Sequence, residues 1–447
     1  MLKTVDIKYG KIAGVDCGNY VVYRGIPYAK APIGDLRWKA PEDPDKFEGT
    51  FIADKFAAKC PQFEQDPDGP QMGFNYGKEF YSKEDFKRPM SEDCLYLNIW
   101  TPANCTKASA LPVAFYIHGG AFMSGYSSEE EFDGESYADK GVILVTIGYR
   151  LGVFGFLAHE WLSKENKQGL SGNYGILDQI KALEWVYENI SAFGGNPNNI
   201  TVFGQSAGSM STQVLVSSDL TKNMISKAIL QSGISCESDF LMTPSLKDEM
   251  GYGKNFVELT GASSISELRA LSTEELMKCQ NKFVMDCFQK GLGFVFVPAV
   301  DGYLLSKTVK EVYDKGLMKK IPYIVGFVGN DIGQTEDDAK ANRPGVIEDE
   351  CKRWAIKAED STGEPVFVYS FEYNLPGDDS GPFHSSELWY TFGTYKRSWR
   401  PMGEHDAKLS EDMVSYWTNF MKYGKPSKDE NEWEAYTKDN ENVKVFC

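Results

Sequence analysis

Histidine is scarce. Four occur in 447 residues, at 118, 159, 384 and 405, so any chemistry that needs an imidazole has four places to find one. Basic residues are short too: 47 Lys and Arg face 64 Asp and Glu, for a formal net charge of −17. Such an acidic chain is repelled by nucleic acid and by anionic membrane surfaces, so neither is an expected partner. The start, Met1 to Lys8, has no apolar core of signal-peptide length and is read as a mature cytoplasmic start. One apolar run, Gly141 to Ala158, approaches spanning length, but Arg150 and four glycines interrupt it. It reads as a buried parallel strand running into a turn. The nine cysteines lack metal-ligand spacing and are odd in number, so reduced thiols are expected, with no metal and no organic cofactor. Internal repeats and low-complexity tracts are missing as well.

What is present is a core-forming composition, 42% apolar, in which β-branched runs alternate with helical periodicity. Val113–Ile117, Val142–Ile147, Ile200–Phe203, Lys227–Leu230, Tyr323–Phe327 and Val366–Tyr369 read as strands. Ile176, Ile180, Leu183, Tyr187 and Ile190 share one helical face, as do Leu409, Met413, Tyr416, Trp417 and Phe420. The stretch Gly194 to Asn199 reads as a turn leading into the Ile200 strand. This alternation predicts an α/β fold: a large, mostly parallel twisted sheet with helices on both faces, in one domain over residues 1–447. The polar stretches Glu64 to Arg88 and Asp331 to Arg353 are read as excursions from the sheet.

Ser206 carries the chemistry. It sits in Gly204-Gln205-Ser206-Ala207-Gly208, between a strand and a stretch able to start a helix. That junction is a nucleophile elbow, a turn so tight that glycine is needed two positions either side of the serine. Serine needs a base to take its proton. His118 precedes Gly119-Gly120-Ala121 and is expected to shape that loop; His159 reads as structural or superficial and His405 as solvated. His384, in a loop beyond the Val366–Tyr369 strand, is the best candidate. A carboxylate must orient the imidazole. Asp331 follows the Tyr323–Phe327 strand and would emerge on the rim that Ser206 occupies; Asp301, read as a turn residue, is the runner-up, and Asp337 and Asp338 read as solvated. An oxyanion needs backbone N–H groups: Ala207 supplies one, and the glycine-rich turn after Ile117 is placed to supply others.

With these residues in view the chain resembles the type B carboxylesterases, the esterase–lipase–cholinesterase branch of the α/β-hydrolases, in a bacterial-type form. The resemblance runs nearly end to end, through Gly25-Ile26-Pro27-Tyr28-Ala29, Ser91 to Asn98, His118 to Phe122, Tyr149 to Gly152, Asp178-Gln179, Phe193 to Gly208 and Gln231-Ser232-Gly233. It implies an α/β-hydrolase fold and a serine ester hydrolase, with Ser206 as nucleophile, His384 as base and Asp331 as acid. Gly120, Ala121 and Ala207 would be oxyanion donors, with Gly119 and Ser232 in support. Ion pairs Arg37–Glu92 and Arg150–Asp178 are implied as structural. Cys60 and Cys94 fall where secreted relatives form a disulfide and are expected close together but reduced.

Three departures shape the expectation. Gln205 stands where most relatives have Glu, removing a buried charge and, on this reading, leaving the mechanism untouched. Asp331 stands where many have Glu, so its loop must bring the backbone nearer His384. The stretch from Asp331 to His384 is short, which predicts a reduced helical cap and a more open site. The segment between Cys60 and Cys94 has no tryptophan to stack on a quaternary ammonium, against a cholinesterase. It is rich in Phe63, Phe74, Tyr76, Phe80, Tyr81 and Phe86, which either stack on an aromatic acyl group of cinnamoyl or feruloyl type or pack the loop. The expected partner is a small-molecule ester. The alternatives are a non-catalytic binding or adhesion module on the same fold, or an acyltransferase; the sequence leaves the oligomeric state open.

Overall fold

Alternate residues along the central strands feed two different cores. In Leu111–Ile117, Val113, Phe115 and Ile117 enter one apolar cluster while Ala114 and Tyr116 enter another on the opposite face. Val366–Phe371 divides in the same way, Val366 and Val368 to one side and Phe367, Tyr369 and Phe371 to the other. Strands buried on both faces need a cover on each. The helix Tyr174–Asn189 supplies Ile176, Ile180 and Leu183 to the first cluster, and the helix Glu404–Tyr423 supplies Met413, Trp417 and Phe420 to the second.

The computed structural model describes residues 2–64, 75–237, 243–333, 344–429 and 431–447. Its strands are β1 (Leu2–Ile7), β2 (Gly10–Asp16), β3 (Tyr20–Pro27), β4 (Thr50–Ala53), β5 (Tyr96–Pro102), β6 (Leu111–Ile117), β7 (Ile143–Ile147), β8 (Gly195–Gln205), β9 (Lys227–Gln231), β10 (Tyr323–Val328), β11 (Val366–Phe371) and β12 (Val443–Phe446). They form a 12-stranded sheet in the order β1-β2-β3-β5-β7-β6-β8-β9-β10-β11-β12, with β4 on β2. From β7 through β12 every pairing is parallel, whereas β1, β2, β3 and β5 reach β7 by antiparallel pairs. The strand order reverses at β6, and ligand sites of open α/β sheets lie at such a switch, beyond the carboxyl ends of the strands.

The stretch Gly194–Asn199 departs from the expected turn. Gly194 takes a left-handed φ of 89°, but Gly195 already pairs with Leu111, and the register jumps so that Val113 faces Ile200. The extra residues Asn196 to Asn199 form a bulge inside β8, which the Asn-Pro-Asn composition marked as turn-like without saying that pairing began before it. The implied ion pairs are present and buried: Arg37 Nε and Nη2 meet Glu92 at 2.7 and 2.5 Å, and Arg150 Nε and Nη2 meet Asp178 at 2.8 and 2.7 Å. Cys60 and Cys94 are buried free thiols in contact, and the Cys60 thiol together with burial pushes the Cys94 thiol well up. Between β10 and β11, the described residues hold one helix, Val346–Thr362; the pocket wall comes mainly from the insertion between β9 and β10, with helices Leu246–Thr260, Ile265–Ala270, Thr273–Gln289 and Val309–Asp314. Among the described residues no helix is long and apolar enough to cross a membrane.

Candidate active site

Ser206 follows β8 directly, at φ 56° and ψ −126°, a backbone conformation that L-residues rarely adopt. Its glycines are required by contact. A Cβ on Gly204 would meet the Gly208 carbonyl carbon at 2.4 Å, and one on Gly208 would meet the Ile117 oxygen at 2.0 Å. Gly208→Ala is therefore expected to lower stability by ~3 kcal/mol, because the blocking atoms are backbone and cannot swing aside. Chemical denaturation with an unchanged slope checks it. Gly233 approaches from β9 just as closely, its Cβ position 2.2 Å from the Ser206 oxygen, and the Ser206 N–H donates to Gln231 O at 2.8 Å. Ser232, between them, sits at φ 49° and its buried hydroxyl has no partner among the described residues.

The turn after β6 comes up beside the serine. A Cβ on Gly119 would lie 2.8 Å from the Gln205 oxygen and 3.2 Å from Ser206 Cβ. Gly120, Ala121 and Phe122 all have positive φ, at 96°, 53° and 60°. Among the described residues the N–H groups of Gly120 and Ala121 make no hydrogen bond. Ala207 opens the helix Ala207–Ser217, so its N–H has no intrahelical acceptor. His118 is buried and shapes this turn, its Nδ1 2.9 Å from Gly119 O and its ring stacked on Tyr149; burial lowers its pKa to about 4.

Asp331 and His384 meet. Asp331 leaves the end of β10 and His384 the long loop after β11, and an isolated parallel bridge joins their neighbours Asn330 and Phe383. The Asn330 N–H donates to Pro382 O at 3.0 Å, which brings the two backbones close enough for the short aspartate. His384 Nδ1 lies 2.6 Å from Asp331 Oδ1, and the carboxylate also accepts from Val328 N at 3.1 Å and Ile332 N at 2.9 Å. The Tyr76 hydroxyl donates to His384 O at 3.0 Å. Asp301 does turn at its own loop: Oδ1 accepts from the N–H groups of Tyr303, Leu304 and Leu305, far from His384. His159 caps the helix Glu160–Glu165, and His405 lies exposed beside Tyr373. Asp337, Asp338 and Phe74 lie outside the described residues.

Ser206 opens onto a cavity of about 510 Å³, shared with Ala121 and Ala207 and walled mainly by apolar side chains such as Met210, Val214, Val297 and Ile347. The described loop aromatics do not line it. Phe80 stacks on Trp389, Tyr81 donates to Glu129, and Phe86 lies under Arg397. Among the described residues no cluster of three His, Cys, Asp or Glu could hold a metal ion.

A family model described as Carboxylesterase family matches residues 2–352 and 346–445. The chain belongs to this family. Fumonisin B1 esterase of Sphingopyxis macrogoltabida is 32% identical over 97% of the chain and 84% of its own length. Para-nitrobenzyl esterase of Bacillus subtilis (strain 168) is 31% identical over 97% and 92%. A solved PNB esterase superposes with a TM-score of 0.84 at 29% identity, covering 100% of the chain and 96% of that structure. The protein is thus a carboxylic-ester hydrolase with the α/β-hydrolase fold.

Three groups of this esterase lie at the site in contacts that were not picked out from sequence. Gln205 reaches the imidazole: its Nε2 is 3.2 Å from His384 Nε2, while its Oε1 accepts from Ser385 Oγ at 3.0 Å. Gln205 was expected only to remove a buried charge and leave the mechanism untouched; its contact with His384 was not foreseen, because adjacency to Ser206 on a strand says nothing of a neighbour's loop. Glu387, three residues past His384, is fully buried and takes a bond from Gln231 Nε2 at 3.3 Å. Burial first and the Asp331 charge second push its pKa up to about 7. Glu249 sits in the cavity wall with both carboxyl oxygens buried, and burial, opposed by the Phe296 and Val297 backbone N–H groups, pushes it up to about 8.

The Glu249 shift fixes a pH dependence. The folded esterase keeps this proton up to about pH 8, whereas an unfolded chain releases it near 4.5. Stability contributed by the neutral acid is therefore complete below the unfolded value and is lost as pH climbs to the folded one. Glu249→Gln, always neutral, should match the wild type in Tm at acid pH and exceed it by roughly 3 °C or more near pH 8. Melting curves across that range check it.

Proposed function

We propose that the esterase works through Ser206, His384 and Asp331 by way of an acyl-enzyme. The observation that carries this reading is the 2.6 Å contact of His384 Nδ1 with Asp331 Oδ1, on the rim where the strained Ser206 turn faces the cavity. Asp331, already accepting two backbone N–H groups, acts as a charged acceptor that keeps the proton on Nδ1 and frees Nε2 as a base. Ser206 Oγ attacks the ester carbonyl carbon as its proton passes to Nε2. The carbonyl oxygen becomes an oxyanion facing the N–H groups of Gly120, Ala121 and Ala207, each such donor being worth about 100- to 1,000-fold in rate. His384 then gives its proton to the departing alcohol. Water repeats the sequence on the acyl-enzyme and releases the acid.

The apolar wall favours small to medium esters with an apolar acyl or alcohol part. Phe122, Tyr252 and Phe294 line the cavity and support acceptance of an aromatic acyl group of cinnamoyl or feruloyl type. Free Cys60 and Cys94 support the cytoplasmic setting, and one sheet with a core on each face supports a single domain. The test is kcat/KM for nitrophenyl esters of increasing acyl length beside methyl ferulate, with stoichiometric labelling by an organophosphate mapped to Ser206. Label on any other residue sinks the nucleophile assignment.

A further inference from the structure

The base and the nucleophile are not joined in this resting structure. Among the described residues Ser206 Oγ makes no hydrogen bond, and His384 Nε2 has a different neighbour, Gln205. The protons in this contact follow from its surroundings. Asp331 as an ionised acceptor requires that Nδ1 carry the imidazole proton, so on a neutral ring Nε2 presents a lone pair. Of the two ends of the Gln205 amide only the N–H can satisfy it, and the Ser385 hydroxyl, donating to Gln205 Oε1 at 3.0 Å, turns the amide nitrogen that way. Ser385 is itself held at a positive φ of 78°, and a Cβ on Gly119 would come within 3.4 Å of Gln205 Oε1, so the amide is hemmed in on both sides. One lone pair thus has two claimants, the Gln205 amide and the Ser206 hydroxyl.

We propose that Gln205 is a positioning residue: its amide holds His384 in the Nδ1–H tautomer with Nε2 unprotonated beside Ser206, and yields that lone pair to the serine hydroxyl when an ester enters. The proposal rests on His384 being the base. No bond is made or broken in the exchange; one donor replaces another. A glutamate here would reverse the effect, since a carboxylate has no proton to offer and binds best to an Nε2 that already carries one. The base would then be occupied over a wider range of pH.

Among the described residues, five titratable groups face this cluster: Asp331 after β10, Glu387 beyond His384, Tyr76 from the helix Tyr76–Phe80, Tyr369 from β11 and Cys351 from the helix Val346–Thr362. Burial holds Tyr76, Tyr369 and Cys351 in their neutral forms well above neutral pH. Glu387, at about 7, titrates in the working range and must be separated from the effect of Gln205.

The experiment is the pH profile of kcat/KM for a neutral nitrophenyl ester, from about pH 5 to about pH 10, per organophosphate-titrated site. Wild type, Q205E, Q205M, E387Q, Q205E/E387Q and H384A are compared. Q205E is expected to lose about fivefold near pH 6.5, about tenfold at most in stronger acid, and to approach the wild type in alkali, its acid limb moved up by about one pH unit. The same displacement should persist in the E387Q background. Q205M, which removes the donor without adding a charge, should move the limb up by a smaller step than Q205E. An acid limb unmoved in Q205M or in Q205E, or equal losses in Q205E and Q205M at every pH, overturns the positioning role while leaving the base assignment intact. Activity surviving in H384A overturns the base assignment itself, and the inference with it.

Discussion

Replacing Ser206 by alanine should lower kcat by about a million-fold while the protein stays folded, since loss of the nucleophile alone removes nearly all that the three groups supply together. What remains is expected to come from the proposed oxyanion donors, the N–H groups of Gly120, Ala121 and Ala207, and from binding in the cavity, about 10³- to 10⁴-fold over water. Stability should barely change. The Ser206 hydroxyl makes no hydrogen bond among the described residues, so no partner is orphaned by its removal. The strained φ of 56° is set by the Gly204, Gly208 and Gly233 contacts and persists in the variant. Burst kinetics with a nitrophenyl ester, together with loss of organophosphate labelling, provide the measurement. A variant that still turns over at more than about one part in a thousand, in protein free of contaminating esterase, would place the nucleophile elsewhere.

Asp331→Asn should cost about 10⁴-fold in kcat with little loss of substrate binding. The amide keeps the shape of the carboxylate, but its nitrogen cannot accept from Val328 N, Ile332 N or His384 Nδ1. The side chain is expected to turn so that its oxygen keeps the backbone donors and its N–H faces the imidazole. Nδ1 then becomes the acceptor, the ring proton moves to Nε2, and the base is lost. Asp301→Asn is the matched control. Asp301 ties the Tyr303–Leu305 turn and accepts from Asn173 Nδ2, so that change should affect stability and spare kcat. Equal rates for the two variants would remove Asp331 from the mechanism.

Much of this was legible before any coordinates. The alternation of β-branched runs with helical periodicity gave the parallel half of the sheet, because strands covered on both faces must be apolar at every position. The elbow was legible because its turn tolerates so few residues: the clashes at Gly204 and Gly208 are the reason the pentapeptide has the form it does. His384 followed from the poverty of histidine and the order of the strands. Less was legible where packing selects among chemically equivalent groups. Asp331 was preferred to Asp301 for its place after a strand, but only the packing of the Asn330–Phe383 bridge shows that it meets His384. The aromatic loop could have lined the pocket or packed; Phe80 packs on Trp389 and Phe86 lies under Arg397, while Phe63 is exposed. The bulge at Asn196–Asn199 was read as a turn since composition reports bending but not pairing.

By itself the sequence determined the α/β class, the elbow with its serine, and the short roster of bases, because each depends on local periodicity or on a backbone geometry that few residues can adopt. Tertiary structure alone decided which acid meets the imidazole, that Gln205 reaches His384 Nε2 in the place expected of Ser206, and that Glu249 and Glu387 are buried deeply enough to hold protons near neutral pH. Those outcomes depend on distances between segments remote in the chain and on how completely water is excluded around them, and neither quantity is written in the order of the residues.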